Sequence, residues 1–191
     1  MDEPVLDLIG DTALPGWRMA GAGGFRPTSE GIESFGGPGI LWFAERTFGD
    51  FVLTIDWRLR SITDNSGLFI RCPPLEDSLS PAIDLGYEIQ IDDRGYDPKR
   101  RSVGSPLHLT GAVYGLAPAL AVCSNLVGRW NRFHIEASGS TITVVLNDTP
   151  VSRLIEASRL RSGHIGLQTH HSGSAVAFRR LCVRPTSDGA S

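Results

Sequence analysis

Cysteine is scarce in this chain: three among 191 residues, at Cys72, Cys123 and Cys182. An odd number, at separations unlike those of zinc ligands, gives neither a disulfide framework nor a metal–thiolate motif. Free thiols in a reducing cytoplasm are expected instead. Excess basic charge is missing too. Lys and Arg total 18 against 21 Asp and Glu, a net charge of −3, and the basic residues are scattered rather than striped. Neither nucleic acid nor a membrane surface is therefore an expected partner. No run approaches the ~18 apolar residues of a transmembrane helix. The opening MDEPVLDLIG is acidic and holds no apolar run of signal-peptide length, so no export signal is expected. Neither GAGG (21–24) nor GGPG (36–39) leads into a helix, so no phosphate cradle is implied. There is no Gly-x-Ser-x-Gly elbow, and no cysteine in a recognisable nucleophile context.

What is present is glycine, proline and short alternating segments. With 22 Gly and 12 Pro, turns are frequent and helical patterns rare. FVLTIDWRL (51–59) alternates Phe, Leu, Ile, Trp and Leu against Val, Thr, Asp and Arg. GLFIRC (67–72), YEIQID (87–92), AVYGL (112–116), RFHIEAS (132–138), TITVVLND (141–148), GHIGLQTH (163–170) and AVAFRRLCV (175–183) complete a series of strand candidates. Ser138-Gly139-Ser140 reads as a hairpin turn, and Asn147 to Pro150 ends the strand after it. Only VSRLIEASRLRS (151–162) has room for a helical turn or two, unless it is a loop. No repeat or linker divides the chain, and its length suits one domain burying roughly 70% of its unfolded surface. These patterns predict a single all-β domain over 1–191, a sandwich or barrel, with a polar tail at 184–191. The charged segment DDRGYDPKRRSVGSP (92–106) has no strand pattern, and long loops of this kind tend to be functional or mobile.

In LGYEIQIDDRG, Tyr87, Ile89 and Ile91 share one face and Glu88, Gln90 and Asp92 the other. The polar row is either ordinary exposure or the floor of a site.

The ordered motifs PGW, GGPGILWFAERTFGDFVLTIDWRL, NSGLFIR, GYEIQID, TGAVYGL, GRWNRFHIEASGSTITVVLND, SGHIGLQTH and VAFRRLCV resemble the 3-keto-disaccharide hydrolase domain family. The resemblance runs from about Leu6 to Val183. It implies a concanavalin A-like jelly-roll β-sandwich whose concave face holds sugar. It also implies action on glycosides already oxidised to a ketone at carbon 3. Such a ketone acidifies the carbon 2 proton, the enolate expels the group at carbon 1, and water adds to the enone. That chemistry needs a base near carbon 2, a donor to the ketone oxygen and an acid for the leaving group.

Laminarinase-type enzymes of this fold carry Glu-x-Asp-x-Glu where this chain has Glu88-Ile-Gln90-Ile-Asp92. Gln90 cannot titrate, which disfavours a displacement by two carboxyls. In GHIGLQTHH, Gln168 and His170 project together and match the family's Gln-x-His, while His171 stands where the family commonly has Gly. Histidine titrates near neutrality and serves as base, acid or metal ligand. Asn65-Ser66-Gly67 is first a turn signal, but on resemblance Asn65 and Arg71 reach the concave face, Arg71 to steady an oxyanion. Trp57 and Trp130 fall in apolar runs and are expected in the core. Trp42 and Tyr114, beside family-matched motifs, are the candidates for stacking on a sugar ring. Glu45, in WFAERTFGDF, is a second carboxylate candidate. Carboxylates with histidine also permit a divalent metal ion, though no spacing is diagnostic of one.

The expected function is elimination and hydration of 3-keto-glycosides. Glu88 and His170 form the acid/base pair, and Gln90, Gln168, Asn65, Arg71, Trp42, Tyr114 and Glu45 contact the substrate. A non-catalytic carbohydrate-binding module is the alternative, because the fold hosts many. An ordinary retaining glycosidase comes third. Oligomeric state is not encoded in any motif.

Overall fold

Residues 4–186 are described by a computed structural model. The alternation in FVLTIDWRL makes β6 (Phe51–Leu59), with Phe51, Leu53, Ile55, Trp57 and Leu59 turned inward. Its neighbours β9 (Asn131–Ser138) and β10 (Thr141–Leu146) alternate in the same way. With β11 (Thr149–Leu154), β13 (Val176–Pro185), β4 (Gly31–Phe35) and β3 (Gly24–Thr28), they form an antiparallel sheet in the order β11-β10-β9-β6-β13-β4-β3. A short β1 (Leu6–Asp7) adds to β13. The second sheet has five strands in the order β2-β5-β12-β7-β8. These are β2 (Trp17–Gly21), β5 (Gly39–Phe43), β12 (His164–Thr169), β7 (Ser66–Cys72) and β8 (Tyr87–Ile91). The main core lies between the sheets, where Trp57, Phe133 and Phe178 meet Leu68, Tyr87, Ile89 and Leu167. This two-layer arrangement is the predicted sandwich.

Several sequence expectations shift. Residues 151–162 hold no helix: Val151 to Leu154 complete β11, because Asn147 and Asp148 both adopt positive φ (48° and 65°) and close a tight hairpin after β10. AVYGL is not a strand. It lies along the free edge of β8 through an isolated bridge, Ile89 to Val113, and hydrogen bonds from Gln90 N to Ala112 O and Tyr114 N to Glu88 O. Strands β1 to β5 gave little signal: β1 is two residues long, Gly, Arg, Pro and Ser interrupt β2 to β4, and β5 is apolar on both faces. Pro27 is tolerated because β3 is a sheet edge. Trp130 is half-buried on the surface, not in the core, with Arg58 and Arg179 stacked on its ring.

The outer face of the five-stranded sheet positions the site. Pro73 and Pro74 end β7 and send the chain across that face, where the only helix among the described residues forms, α1 (Ser80–Leu85). Ala82 of α1 and Leu75 cover Ile40, Trp42, Phe69 and Cys72 in a second apolar cluster. The part of the face that α1 leaves open carries polar side chains.

Arg71 departs from its expected place. It sits at a bulge between β7 and β12 with φ of 51°, which breaks the alternation and turns its side chain toward the other sheet. There it is fully buried and donates to Gly49 O (3.0 Å), Gly139 O (2.8 Å) and the Asp50 carboxylate (2.8 Å). Arg71 is a clamp between sheets and not an oxyanion donor. Replacing it by Met leaves Asp50 with only the Gly139 N–H (2.9 Å) and the Gly49 and Gly139 carbonyls without the guanidinium. Breaking a buried pair this way costs about 3 kcal/mol or more, so Arg71→Met should lower the urea midpoint clearly. An unchanged midpoint would remove the clamp from this account.

Candidate active site on the outer face of the five-stranded sheet

Strands β12, β7 and β8 lie side by side, and alternate residues of each face outward. Gly67 pairs with Gln90, and Phe69 with Glu88. A Cβ on Gly67 would stand 2.7 Å from Glu88 Cγ, so the missing side chain is what lets Glu88 lie across the middle strand. From β12, the Gln168 side chain reaches the same carboxyl. The result is a cavity of about 280 Å³. Its floor is Glu88, Gln90 and Gln168, its sides Asn65, Tyr114 and His170, and its mouth Ile83, Tyr96 and Pro98. The polar faces of residues 87–92 and 164–170 thus meet in one place.

Electrostatics assign different states to the two titratable candidates. Glu88 keeps some surface on the cavity, but protein surrounds it. Burial pushes its carboxyl up to about 8, with the Gln168 hydrogen bond pulling weakly the other way. Glu88 is therefore mainly a neutral acid at pH 7. His170 is held below the usual imidazole value, first by burial and then by the His171 charge, with Arg94 adding and Asp92 opposing. His170 is accordingly a neutral base at the same pH. Its Nδ1 lies 2.8 Å from His171 Nδ1, so one ring donates and the other accepts, which leaves His170 Nε2 for a ligand. Burial, then the negative charges of Glu88, Asp97 and Asp92, raise the Tyr114 phenol. Tyr114 is also held edge-on by His108, with ring centroids 4.7 Å apart. Two buried amide oxygens, Asn65 Oδ1 and Gln168 Oε1, have no hydrogen-bond partner in the protein. Such acceptors suit the hydroxyl donors of a sugar.

Six of the nine candidate residues come together here: Glu88, His170, Gln90, Gln168, Asn65 and Tyr114. Three do not. Trp42 has the right parity, but α1 and Leu75 bury it to 4% exposure, and His164 packs on its ring. Glu45 lies beyond the end of β5, in a separate cavity with Asp7, Asp11 and Phe43. Arg71 is the clamp described above. Gly67, Ile83, Tyr96 and Pro98 were missed; the segment 92–106 that carries Tyr96 and Pro98 had been singled out, though not its residues. The His171 substitution does not distort the turn, because Gly173 takes the positive φ of 95°. Asp92, the last of the polar row, is fully buried and bonds to its own loop. Among the described residues, no group of three or more His, Cys, Asp or Glu side chains is arranged to hold a metal ion.

Fold and cavity together define an antiparallel sandwich of the concanavalin A-like class with a partly open pocket on one sheet, polar at its floor and largely apolar at its rim. Residues 5–184 match the 3-keto-alpha-glucoside-1,2-lyase-like domain, and the chain belongs to that family. No curated protein matches it. Among solved structures, a protein of Parabacteroides distasonis described as a candidate glycosyl hydrolase is similar at 22% identity and a TM-score of 0.78, over 96% of this chain and 100% of that one. The carbohydrate-binding module CBM66 of Bacillus subtilis is similar at 17% identity and a TM-score of 0.62, over 88% of this chain and 95% of that one. The exoplasmic/lumenal domain of VIP36, in its Ca2+/Man3GlcNAc-bound form, shares 15% identity and a TM-score of 0.60, over 93% of this chain and 86% of that one. At these identities the likeness is one of fold.

Two measurements check the electrostatics. A carboxyl whose pKa rises on folding, here from 4.5 to about 8, binds more protons folded than unfolded between those values. Its contribution to stability is therefore present below about pH 4.5 and lost as pH rises toward 8. Glu88→Gln should remove that loss, so its unfolding free energy should gain on the parent between about pH 5 and pH 8. Parallel curves would place Glu88 in water. His171→Ala should move the His170 titration, followed by NMR, up toward the ordinary imidazole value. No movement would mean that burial and the neighbouring Arg94 and Asp92, and not His171, set it.

Proposed function

We propose that this protein cleaves 3-keto-glycosides by elimination followed by hydration. The observation that carries this reading is a single enclosed carboxyl, Glu88, pushed up to about 8 in a cavity that also holds a neutral His170. A retaining glycosidase needs two carboxyls about 5–5.5 Å apart. Glu88 is the only carboxylic residue lining this cavity among the described residues, and Gln90 occupies the neighbouring position. An elimination needs one base, one acid and a donor to the ketone oxygen; His170 and Glu88 supply the first two, and the Tyr114 hydroxyl and the Gln90 amide line the same cavity as donors.

In the first step His170 Nε2 takes the carbon 2 proton and the electron pair moves toward the ketone at carbon 3. The enolate re-forms the carbonyl, a double bond forms between carbons 1 and 2, and the bond from carbon 1 to the leaving oxygen breaks. Glu88 gives its proton to that oxygen. In the second step the Glu88 carboxylate takes a proton from water as its oxygen adds to carbon 1. The imidazolium of His170 returns its proton to carbon 2. Both groups end in their starting states. The amides of Asn65, Gln90 and Gln168 hold the sugar hydroxyls, and the Tyr114 ring flanks them.

A binding-only protein is the second reading, favoured by the partnerless oxygens of Asn65 and Gln168, which sugar hydroxyls would satisfy without any chemistry. Parallel incubation with a 3-keto-glucoside and the unoxidised glucoside separates the cases. Release of the aglycone from the ketone alone supports elimination, release from neither supports binding only, and release from both revives an ordinary glycosidase.

Glu88→Gln and His170→Asn should each cut turnover by about 10²–10⁴-fold while the keto-sugar still binds. Solvent deuterium should appear at carbon 2 of recovered substrate when proton removal is reversible. The pH profile of kcat/KM should be bell-shaped, its acid limb below the usual imidazole value from His170 and its basic limb near 8 from Glu88. Full activity in both variants would sink the pair.

A further inference from the structure

Glu88, Gln90 and Gln168 rise from the sheet floor, while Ile83, Tyr96 and Pro98 stand with His170 among the exposed residues at the rim. Ile83 on α1 is 51% exposed and Tyr96 is 38% exposed. Pro98 is exposed as well. All three line the cavity. Large apolar side chains grouped in the open beside a pocket usually mark a ligand surface.

Their origin gives the wall a direction. α1 packs on β7 and β8, and residues 96–98 belong to the segment that leaves the end of β8. Tyr114 is bonded through its N–H to Glu88 O on the same strand. Helix α1 runs directly into β8 and residues 96–98 follow its other end, so both ends of the strand that carries Glu88 bring these side chains to the cavity, while His170 follows β12. A cavity of about 280 Å³ lies just under the ~300–1,000 Å³ of pockets for drug-sized ligands. It suits one sugar ring, and whatever that ring carries at carbon 1 extends over the mouth.

We propose that Ile83, Tyr96 and Pro98 form a subsite for an apolar aglycone, so that the preferred substrates are 3-keto-glycosides of hydrophobic alcohols rather than of a second sugar. The direction rests on the reading of the cavity as a glycoside-cleaving site, in which Glu88 protonates the leaving oxygen and the aglycone lies on its side. A second sugar would bring several hydroxyls to a wall that offers, from these three residues, one phenol and otherwise carbon. An alkyl or aryl group leaves no such hydroxyl stranded and removes the exposed surface of Ile83, Pro98 and the Tyr96 ring from water.

The Glu88→Gln variant, expected to hold ligand without turnover, allows affinity to be measured by calorimetry. The probes are the 3-keto-glucosides of methanol, ethanol, propanol and butanol, alongside a 3-keto-disaccharide. Each methylene that reaches the wall should tighten binding by up to about fourfold, the equivalent of about 0.8 kcal/mol per buried CH2. The butyl compound should bind more tightly than the disaccharide. Adding Ile83→Ser and Tyr96→Ser should flatten the chain-length dependence. Affinity independent of chain length, a disaccharide that binds best, or no binding by any probe would overturn the subsite. Cleavage is scored separately on the parent protein. If no keto-glucoside is cleaved while affinity still climbs with chain length, the elimination reading falls and the apolar subsite stands.

Discussion

The Asp92 carboxylate is the constraint on which the site depends. It lies at 0% exposure where β8 ends, and a buried carboxylate has to be hydrogen-bonded to be tolerated. Oδ1 accepts from Arg94 N at 2.9 Å, and Oδ2 from Tyr96 N at 3.1 Å and Asn65 Nδ2 at 3.2 Å. Its backbone oxygen accepts from Gly95 N and Thr110 N. Satisfying one buried charge thus fixes the direction in which the chain leaves the sheet, delivers Tyr96 to the cavity mouth and holds the Asn65 amide at its side. Further along, Asp93 accepts from Thr110 Oγ1 and Ser124 Oγ, both at 2.6 Å. The returning segment then lies along β8 through Ala112 and Tyr114, covering a sheet edge that would otherwise be open.

Other charges in the protein show what is unusual about Glu88. Arg71, fully buried, has Asp50. Asp56, nearly buried, has Arg132 at 2.6 Å and Arg179 at 3.1 Å. In each case burial is offset by an opposite charge. Glu88 receives burial and one amide, with no cation among the influences on it. A carboxyl in that position gives up its charge. The fold therefore stores an acid at neutral pH by omission: Gly67 makes room for the side chain, neutral Gln90 and Gln168 flank it, and no arginine is among the influences on it.

Period-two alternation made most of the sandwich legible. Phe51–Leu59, the segment around Asn131–Leu146 and the strand beginning at Tyr87 each carried their inward face in plain view, and parity together with the family resemblance joined Glu88 and Gln90 to Gln168 and His170. Parity failed where backbone geometry changes it. At Arg71 a bulge with positive φ reverses the side chain, and nothing local in GLFIRC announces it. For Trp42 parity was right and exposure was not, because a segment more than thirty residues later in the chain covers it. The strands from Trp17 to Phe35 stayed hidden because Gly, Pro, Arg and Ser break their alternation, and β5 because GILWF is apolar on both faces, one facing the main core and the other the cluster under α1. Tyr96 was out of reach for a related reason: its position is set by bonds to Asp92, and hydrogen bonding inside a loop leaves no periodic trace in sequence.

A change in chemistry along one sheet face links this fold to the proposed selectivity. The outer face of the five-stranded sheet is apolar at Ile40, Trp42, Phe69 and Cys72, and polar at Glu88, Gln90 and Gln168. α1 lies at the border. Successive helical residues point about 100° apart, so Ala82 can be fully buried over the apolar half while Ile83, the next residue, is half open at the cavity. The contact that stabilises the helix also sets where Ile83 stands. A shift of α1 would uncover the apolar cluster before it could reshape the mouth. The core beneath Ala82 thereby holds Ile83 in register with Glu88, and the proposed choice of leaving group would be a property of the packing as much as of the pocket.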